Sequence, residues 1–365
     1  MDYKAWYTMD VDPAEYYAQI AAASPLDPQE TARTRDAENT IPGEAKDKLF
    51  NISAEIKNLF HEFGAPMPPL MEGCTVLDLC CGSGRDTYLA AQLVGPEGKV
   101  IGVEPNAKRL AVAEKYFDQE MKQFGYAEPN VELHVGVPED LSFIPDASID
   151  IVISNCTFNL SPDKQKYVRE VFRVLKENGE WYFTDVFTAR RIPEELAKKV
   201  ENRADRLAGA MYVGDFRRLV QRNGFNDPRY VWNWKTPLSD TEREKYGEVE
   251  FATLTVRALK SDWTEDVCET YGEVIFYDGS LPDFPDYFQF ENSIKFPAGK
   301  EIPGVCGNVT ALTAHSRYSK VFKTTGDRSR HIKDTHNAFD ALVINAPDFT
   351  GVRDEDDLPI QASCC

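Results

Sequence analysis

From Thr75 to Val186 the chain alternates short apolar runs with longer amphipathic stretches, and this alternation constrains the fold more than any other feature. Thr75–Asp78, Lys99–Glu104 (KVIGVE), Val131–Val135, Ile149–Ser154 (IDIVIS) and Glu180–Asp185 (EWYFTD) have the length and apolar content of strands. Thr87–Val94 and Ala107–Phe124 carry apolar residues at helical spacing and end at Gly95 and Gly125. A third helix is expected from Ser161-Pro162-Asp163, with Val168, Val171, Phe172 and Leu175 on its buried face. Strand–helix alternation with short connections means a mostly parallel sheet with helices on both faces.

The flanks read differently. Glu44–Glu62 is expected to be one amphipathic helix, broken by GAPMPPL. After Val186, ARRIPEELAKKVENRADRLAGA and Asp215–Gly224 read as helices, and Val249–Leu259 as a strand near a closing antiparallel hairpin. Beyond Trp263, the runs Val274–Tyr277, Tyr287–Phe290 and Ser293–Phe296 point to a small, partly β module. The 365 residues therefore divide into an N-terminal helical segment (1–70), an α/β domain (71–260), an α+β C-terminal domain (261–352) and an acidic tail (353–365) ending in Cys364-Cys365.

A net charge of −19 argues against a nucleic-acid partner, because phosphate backbones need clustered Lys and Arg. The run RRIPEELAKKVENRADR is mixed in charge and reads as a solvated helix, and the locally basic His315–Lys333 reads as surface. No segment approaches the roughly 18 consecutive apolar residues of a membrane span. The start, MDYKAWYTMDVDPAEYY, lacks the pattern of a secretory signal, so the expected location is the cytoplasm and the eight cysteines are expected to be thiols. Their spacing has no zinc signature.

The turn after the first strand, in VLDLCCGSGRD, carries the chemistry. Gly82 and Gly84 let the backbone turn sharply and approach a ligand, and the helix starting near Arg85 presents unpaired N–H groups. The dinucleotide fingerprint G-x-G-x-x-G fails at Thr87, and no Gly-Lys-Ser/Thr follows for a P-loop. Glu104 ends the second strand, where a carboxylate accepts ribose hydroxyls. A glycine turn without a pyrophosphate site, together with a ribose acid, points to S-adenosylmethionine. Arg85 or the turn's amides are candidates for the ligand's carboxylate.

The stretch VLDLCCGSGRDTYLAAQLVGPEGKVIGVE resembles the cofactor motif of class I, Rossmann-like S-adenosylmethionine-dependent methyltransferases. More narrowly, SNCTFNLSPDKQKYVREVFRVLKENGEWYFTDVF, LAGAMYVGDFRRLVQRNGF and AHSRYSKVF resemble arsenite methyltransferases, in that family's order. The Cys364-Cys365 tail also resembles the cysteine-rich tails of animal members. The resemblance implies cofactor contacts from Asp78, Cys80, Gly82, Ser83, Gly84, Arg85, Glu104, Pro105, Val137, Pro138, Glu139 and Asn155. Gly136–Glu139 falls where the family contacts adenine; Pro138 brings no N–H, which leaves the exocyclic amine to Glu139 or Asp140. Asn155 falls beside the transferred methyl group, and Cys156 on the family's arsenic-binding cysteine. The implied acceptor is a small soft nucleophile, trivalent arsenic or an As(III)–thiol conjugate.

The chain departs from the family at its thiolates. Trivalent arsenic wants two or three sulfur ligands. Where the second is expected this chain has Arg206, and the local match for another is Ala65. Only Cys156 survives. Arg206, taken with Cys156 and Asn155 as catalytic candidates, could pair with a substrate carboxylate, phosphate or oxyanion. The alternatives to an arsenic methyltransferase are a methyltransferase of a small anionic metabolite held by Arg206, and a non-catalytic paralogue binding the cofactor or a metalloid.

Overall fold

The structure, a computed structural model, describes residues 7–23, 41, 43–60, 65–198, 207–291 and 294–334. Its N-terminal part holds helices α1 (Pro13–Ala23), α2 (Gly43–Leu49) and α3 (Ala54–Asn58). Then β1 (Thr75–Leu79), α4 (Arg85–Val94), β2 (Lys99–Glu104), α5 (Ala107–Phe124), β3 (Val131–Val135), β4 (Ile149–Asn155), α6 (Lys164–Val174) and β5 (Leu175–Thr188) follow. The central domain closes with α7 (Glu194–Ala197), β6 (Met211–Tyr212), α8 (Val213–Gln221), β7 (Arg229–Lys235), α9 (Asp240–Tyr246) and β8 (Phe251–Leu259). The sheet order is β3-β2-β1-β4-β5-β8-β7, with β6 beside β5. The first five strands are parallel, and β8 and β7 run antiparallel at the edge.

Local chemistry explains most boundaries. Asn106 caps α5 by accepting the Lys108 N–H, and Gly125 ends it in the left-handed conformation. Ser239 and Glu242 form a capping box at α9. The central strands are buried on both faces, as a parallel sheet between helical layers requires.

Several expectations need correction. Over its described residues, 44–60, the stretch Glu44–Glu62 holds two short helices rather than one, and Phe50, between them, is 81% exposed. Its apolar spacing counted a residue that the fold leaves in water. The third helix starts at Lys164 with Asp163 as its cap, because the Asp163 carboxylate accepts the Gln165 and Lys166 N–H groups. Ser161 instead turns its hydroxyl to Glu139. Of ARRIPEELAKKVENRADRLAGA, expected to be helical, the described residues form helix only in α7, and 189–193 and 207–210 do not; residues 199–206, Arg206 among them, lie outside the described residues. Strand β7 was not anticipated, although RYVWNWK carries the β-branched and aromatic content of a strand.

The C-terminal module comprises β9 (Glu269–Thr270), β10 (Val274–Tyr277), β11 (Tyr287–Glu291), β12 (Ile294–Pro297), β13 (Glu301–Pro303), α10 (Gly307–His315), β14 (Phe322–Thr325) and β15 (Lys333–Asp334). Tyr277, Phe288, Phe296, Tyr318 and Phe322 pack its core. The thiol expectation fails here, because folding brings the Cα atoms of Cys268 and Cys306 to 5.5 Å and their sulfurs are bonded.

A buried ionic knot joins module and sheet. Glu180 on β5 accepts Arg257 Nε at 2.6 Å and pairs with Arg317. Arg257 Nη1 donates to the Phe290 carbonyl at 3.0 Å, and Arg317 Nε to the Pro69 carbonyl at 3.2 Å. Burial pushes the Glu180 carboxyl up, but the two guanidiniums more than offset this and hold it below its ordinary value. Replacing Glu180 by Leu leaves two buried guanidiniums without their carboxylate. The expected cost is about 3–5 kcal/mol of unfolding free energy, measured in urea; a loss under about 1 kcal/mol means the knot does not hold the module.

Candidate active site

β1, β2 and β4 all deliver their chain exits to one edge of the sheet. Leu79 stands opposite Val103 on one side and Ser154 on the other, so Cys80, Glu104 and Asn155 leave their strands together. Cys80 and Cys156 both have φ near +54°, so each turns the chain sharply out of its strand. Gly84 caps α4 at φ +91°, and a Cβ there would stand 2.8 Å from the Ala113 Cβ. Gly82, at φ +59°, has nothing within 4 Å of where a Cβ would be, leaving room above the turn for a ligand.

The turn is braced from β2. Glu104 Oε2 accepts the Gly82 N–H and Oε1 accepts the Asn106 N–H, each at 2.9 Å. Asp78 Oδ2 accepts the Thr87 hydroxyl at 2.6 Å, so Thr87 stabilises the aspartate from the position of the missing third glycine. Cys81 packs its sulfur over Gly102 of β2, where a Cβ would approach it to 3.0 Å. Burial and nearby carboxylates push the thiols of Cys80 and Cys81 well up, so neither is poised as a thiolate.

Three buried side chains connect α4 to the end of β4. Arg85 Nε donates to Asp86 Oδ1 at 2.8 Å, and Asn155 Nδ2 donates to Asp86 Oδ2 at 3.1 Å. The Arg85 guanidinium also lies 3.2 Å above the Phe60 ring. Arg85, expected as a partner for a ligand carboxylate, thus spends two of its donors inside the protein. Asp86 had no assigned role in the sequence, and it is the group that orients both Arg85 and Asn155. Ser83 donates its hydroxyl to the Ile56 carbonyl and tethers α3 to the turn.

Past β3, Val137 to Asp140 form a tight turn, with the Asp140 N–H on the Val137 carbonyl at 3.1 Å, and Pro105, just past β2, is half-buried. Glu139 does not reach outward: Oε1 accepts the Ser161 hydroxyl at 2.5 Å and the Tyr17 hydroxyl at 3.2 Å. Its Oε2 is buried with no hydrogen-bond partner among the described residues. Asp140 is exposed and accepts the Ser142 N–H. The sequence reading missed Tyr16 and Tyr17 on α1, which pack against Cys80, Val137 and Leu160. A signal was present in Asp12-Pro13-Ala14-Glu15, where Asp12 accepts the Glu15 N–H and Pro13 opens the helix.

Cys156 follows Asn155 directly and donates its N–H to the Thr184 carbonyl at 2.8 Å. It is buried in an apolar cluster with Val186, Ile192, Leu207, Ala208 and Tyr246. Leu207, the residue that follows Arg206 in sequence, lies in this cluster. Ala65 lies elsewhere, with Met67 and Met71. Cys74 precedes β1 and therefore stands at the opposite edge of the sheet, a strand length of about 16 Å away. Cys306 belongs to the C-terminal core and is bonded to Cys268.

The methyltransferase domain family matches residues 70–224. An arsenite methyltransferase of Aquipseudomonas alcaligenes is 39% identical over 296 residues, covering 80% of this chain and 85% of that protein. The human arsenite methyltransferase is 34% identical over 316 residues, covering 85% of this chain and 82% of that protein. The chain belongs to the arsenite methyltransferase family. The crystal structure of an arsenic(III) S-adenosylmethionine methyltransferase from Chlamydomonas reinhardtii superposes with a TM-score of 0.77 at 36% identity, covering 80% of this chain and 99% of that one. This protein is an S-adenosylmethionine-dependent methyltransferase of class I fold. Among the described residues, no helix is long and apolar enough to cross a membrane.

Burial raises the Glu139 carboxyl of this methyltransferase from an ordinary 4.5 to about 7. A raised carboxyl contributes its stability fully below pH 4.5 and loses it as pH climbs through 7. Without added cofactor, wild type is expected to lose about 3 kcal/mol relative to Glu139→Gln across that window, measured by urea unfolding at a series of pH values. Parallel stability curves for the two proteins would contradict this account of Glu139.

Proposed function

We propose that the chain methylates trivalent arsenic presented as a thiol conjugate, with Cys156 as the protein's own arsenic ligand. The observation that carries this reading is the placement of Cys156: directly after Asn155, at the strand edge that carries the glycine turn, and walled by apolar side chains. The names of the relatives support the same acceptor. Trivalent arsenic takes up to three sulfurs. With Arg206 and Ala65 at the family's other positions, the remaining sulfurs come from small thiols that arrive with the arsenic. Arg206 would pair with carboxylates on those thiols. We also place the protein in the cytoplasm, where reduced thiols are abundant.

The residues fit the cofactor. S-adenosylmethionine supplies the methyl group when bound. Glu104 would accept the ribose hydroxyls while its oxygens keep the turn's N–H groups in place. Gly82 leaves the backbone bare for close approach, Ser83 and Gly84 complete the turn around the ligand, and Cys80, Pro105, Val137 and Pro138 would form the surrounding walls. Of the two carboxylates at this turn, the exposed Asp140 rather than the inward-turned Glu139 would accept the adenine amine. Asn155, fixed by Asp86, holds the floor at the transfer point, and Tyr16 and Tyr17 keep water from it. Arsenic attacks through its own lone pair, so the site needs alignment rather than a base.

Two variants test this. Cys156→Ser is expected to lower production of methylated arsenic from arsenite and glutathione by about 100-fold or more, with cofactor affinity unchanged by calorimetry. Full activity in that variant, or no methylated arsenic from wild type at any thiol level, would sink the arsenic reading. Glu104→Ala is expected to weaken cofactor binding by about tenfold or more, since two charge-assisted hydrogen bonds and the brace on the turn are lost together. Unchanged binding would remove Glu104 from the cofactor site.

A further inference from the structure

The bonded pair Cys268–Cys306 spans 38 residues of sequence, and its two sulfurs stand in unlike surroundings. Cys306 is fully buried and is the N-cap of α10, where the helix presents N–H groups without intrahelical partners. Arg229 Nη2 approaches the Cys306 sulfur to 3.9 Å. The same guanidinium pairs with Asp227 at 2.7 Å and Glu291 at 3.0 Å, so the sulfur shares a cation with two carboxylates. Cys268 is half-buried, on the connection between Thr264 and β9.

We propose that this pair is a thiol–disulfide exchange site for low-molecular-weight thiols, opened by attack on the Cys268 sulfur with Cys306 as the leaving thiolate. Both criteria that select the attacked sulfur agree. Cys268 is the accessible one, and Cys306 is the one whose negative charge the helix start and Arg229 receive. In the first step an incoming thiolate bonds to the Cys268 sulfur while the protein's S–S bond breaks and its electron pair leaves on Cys306. In the second, another thiolate takes the small-molecule sulfur from Cys268, and the Cys268 thiolate takes a proton from solvent. Two small thiols become one small disulfide, and the protein's cystine becomes two cysteines.

The surroundings let the bond open without unfolding the module. Asn308 accepts the Glu265 N–H at 2.7 Å and donates to the Glu265 and Val267 carbonyls. Thr270 donates its hydroxyl to the Val305 carbonyl at 3.1 Å. These bonds hold the connection to α10 independently of sulfur. Arg229 lies on β7 and Glu291 on β11, so the pair sits at the seam between the main sheet and the module. A released Cys306 thiolate competes with Glu291 for Arg229, and the seam senses the thiol level.

The full-length native protein would be incubated with millimolar reduced glutathione, acid-quenched, alkylated, digested and analysed by mass spectrometry. The expected result is a transient glutathione adduct on Cys268, then both cysteines as thiols, with circular dichroism retained and the melting temperature lowered by on the order of 5 °C. Survival of the bond until denaturant is added would overturn the proposal, as would an adduct on Cys306. A second comparison uses oxidised glutathione on the single variants. Cys306→Ser is expected to take up glutathione at Cys268 about tenfold or more faster than Cys268→Ser does at Cys306. Equal rates would also overturn it.

Discussion

At the centre of the sheet β1 pairs in parallel with β2 on one side and β4 on the other, and this pairing sets everything downstream. The chain winds outward from β1 through β2 to β3, then returns to lay β4 on the other side. Where the winding reverses, connections diverge and leave a crevice at the carboxyl ends of the strands. The glycine turn, Glu104, and the Asn155-Cys156 pair are the exits of those three strands. Their proximity is a consequence of register, and no local preference could produce it.

Buried charge then makes the crevice rigid. The protein carries a net charge of −19, yet its interior charges are grouped around specific partners. Asp86 is shared by Arg85 and Asn155, Glu180 by Arg257 and Arg317, and Arg229 by Asp227 and Glu291. Such groups gain little net stability, since desolvation offsets most of the attraction, but each tolerates few alternative arrangements. The first sets the floor of the candidate site. The other two fasten the C-terminal module to the antiparallel edge of the sheet.

The proposed acceptor site departs from the pattern that the family resemblance implies in its sulfur count, while the fold around Cys156 matches that of the relatives. Cys156 keeps its place because β4 must end there and the following left-handed turn points into an apolar cluster. Cys74 and the Cys268–Cys306 pair are excluded from helping by topology: the first lies at the opposite end of the strands and the others in the C-terminal module. Cys74 and the bonded pair therefore add no thiolate beside Cys156, and on the proposed reading small thiols of the medium complete the arsenic's coordination.

The strands and helices between Thr75 and Val186 were legible because their periodicities are local and their boundaries carry glycines and caps. The glycine turn and Glu104 were legible too, since their order along the chain reflects one strand–turn–helix–strand unit. Asp86, the inward turn of Glu139 and the two tyrosines of α1 were not, because what defines them is a partner far away in sequence: Asn155 for Asp86, and Ser161 and Tyr17 for Glu139. The same reason separates the cysteines. The sequence alone determined that Cys156 stands after the fourth strand and that the other family thiolates are missing. Only the tertiary structure decided that Cys268 and Cys306 meet, because closing a 38-residue loop depends on how the module packs and not on any pattern the chain displays.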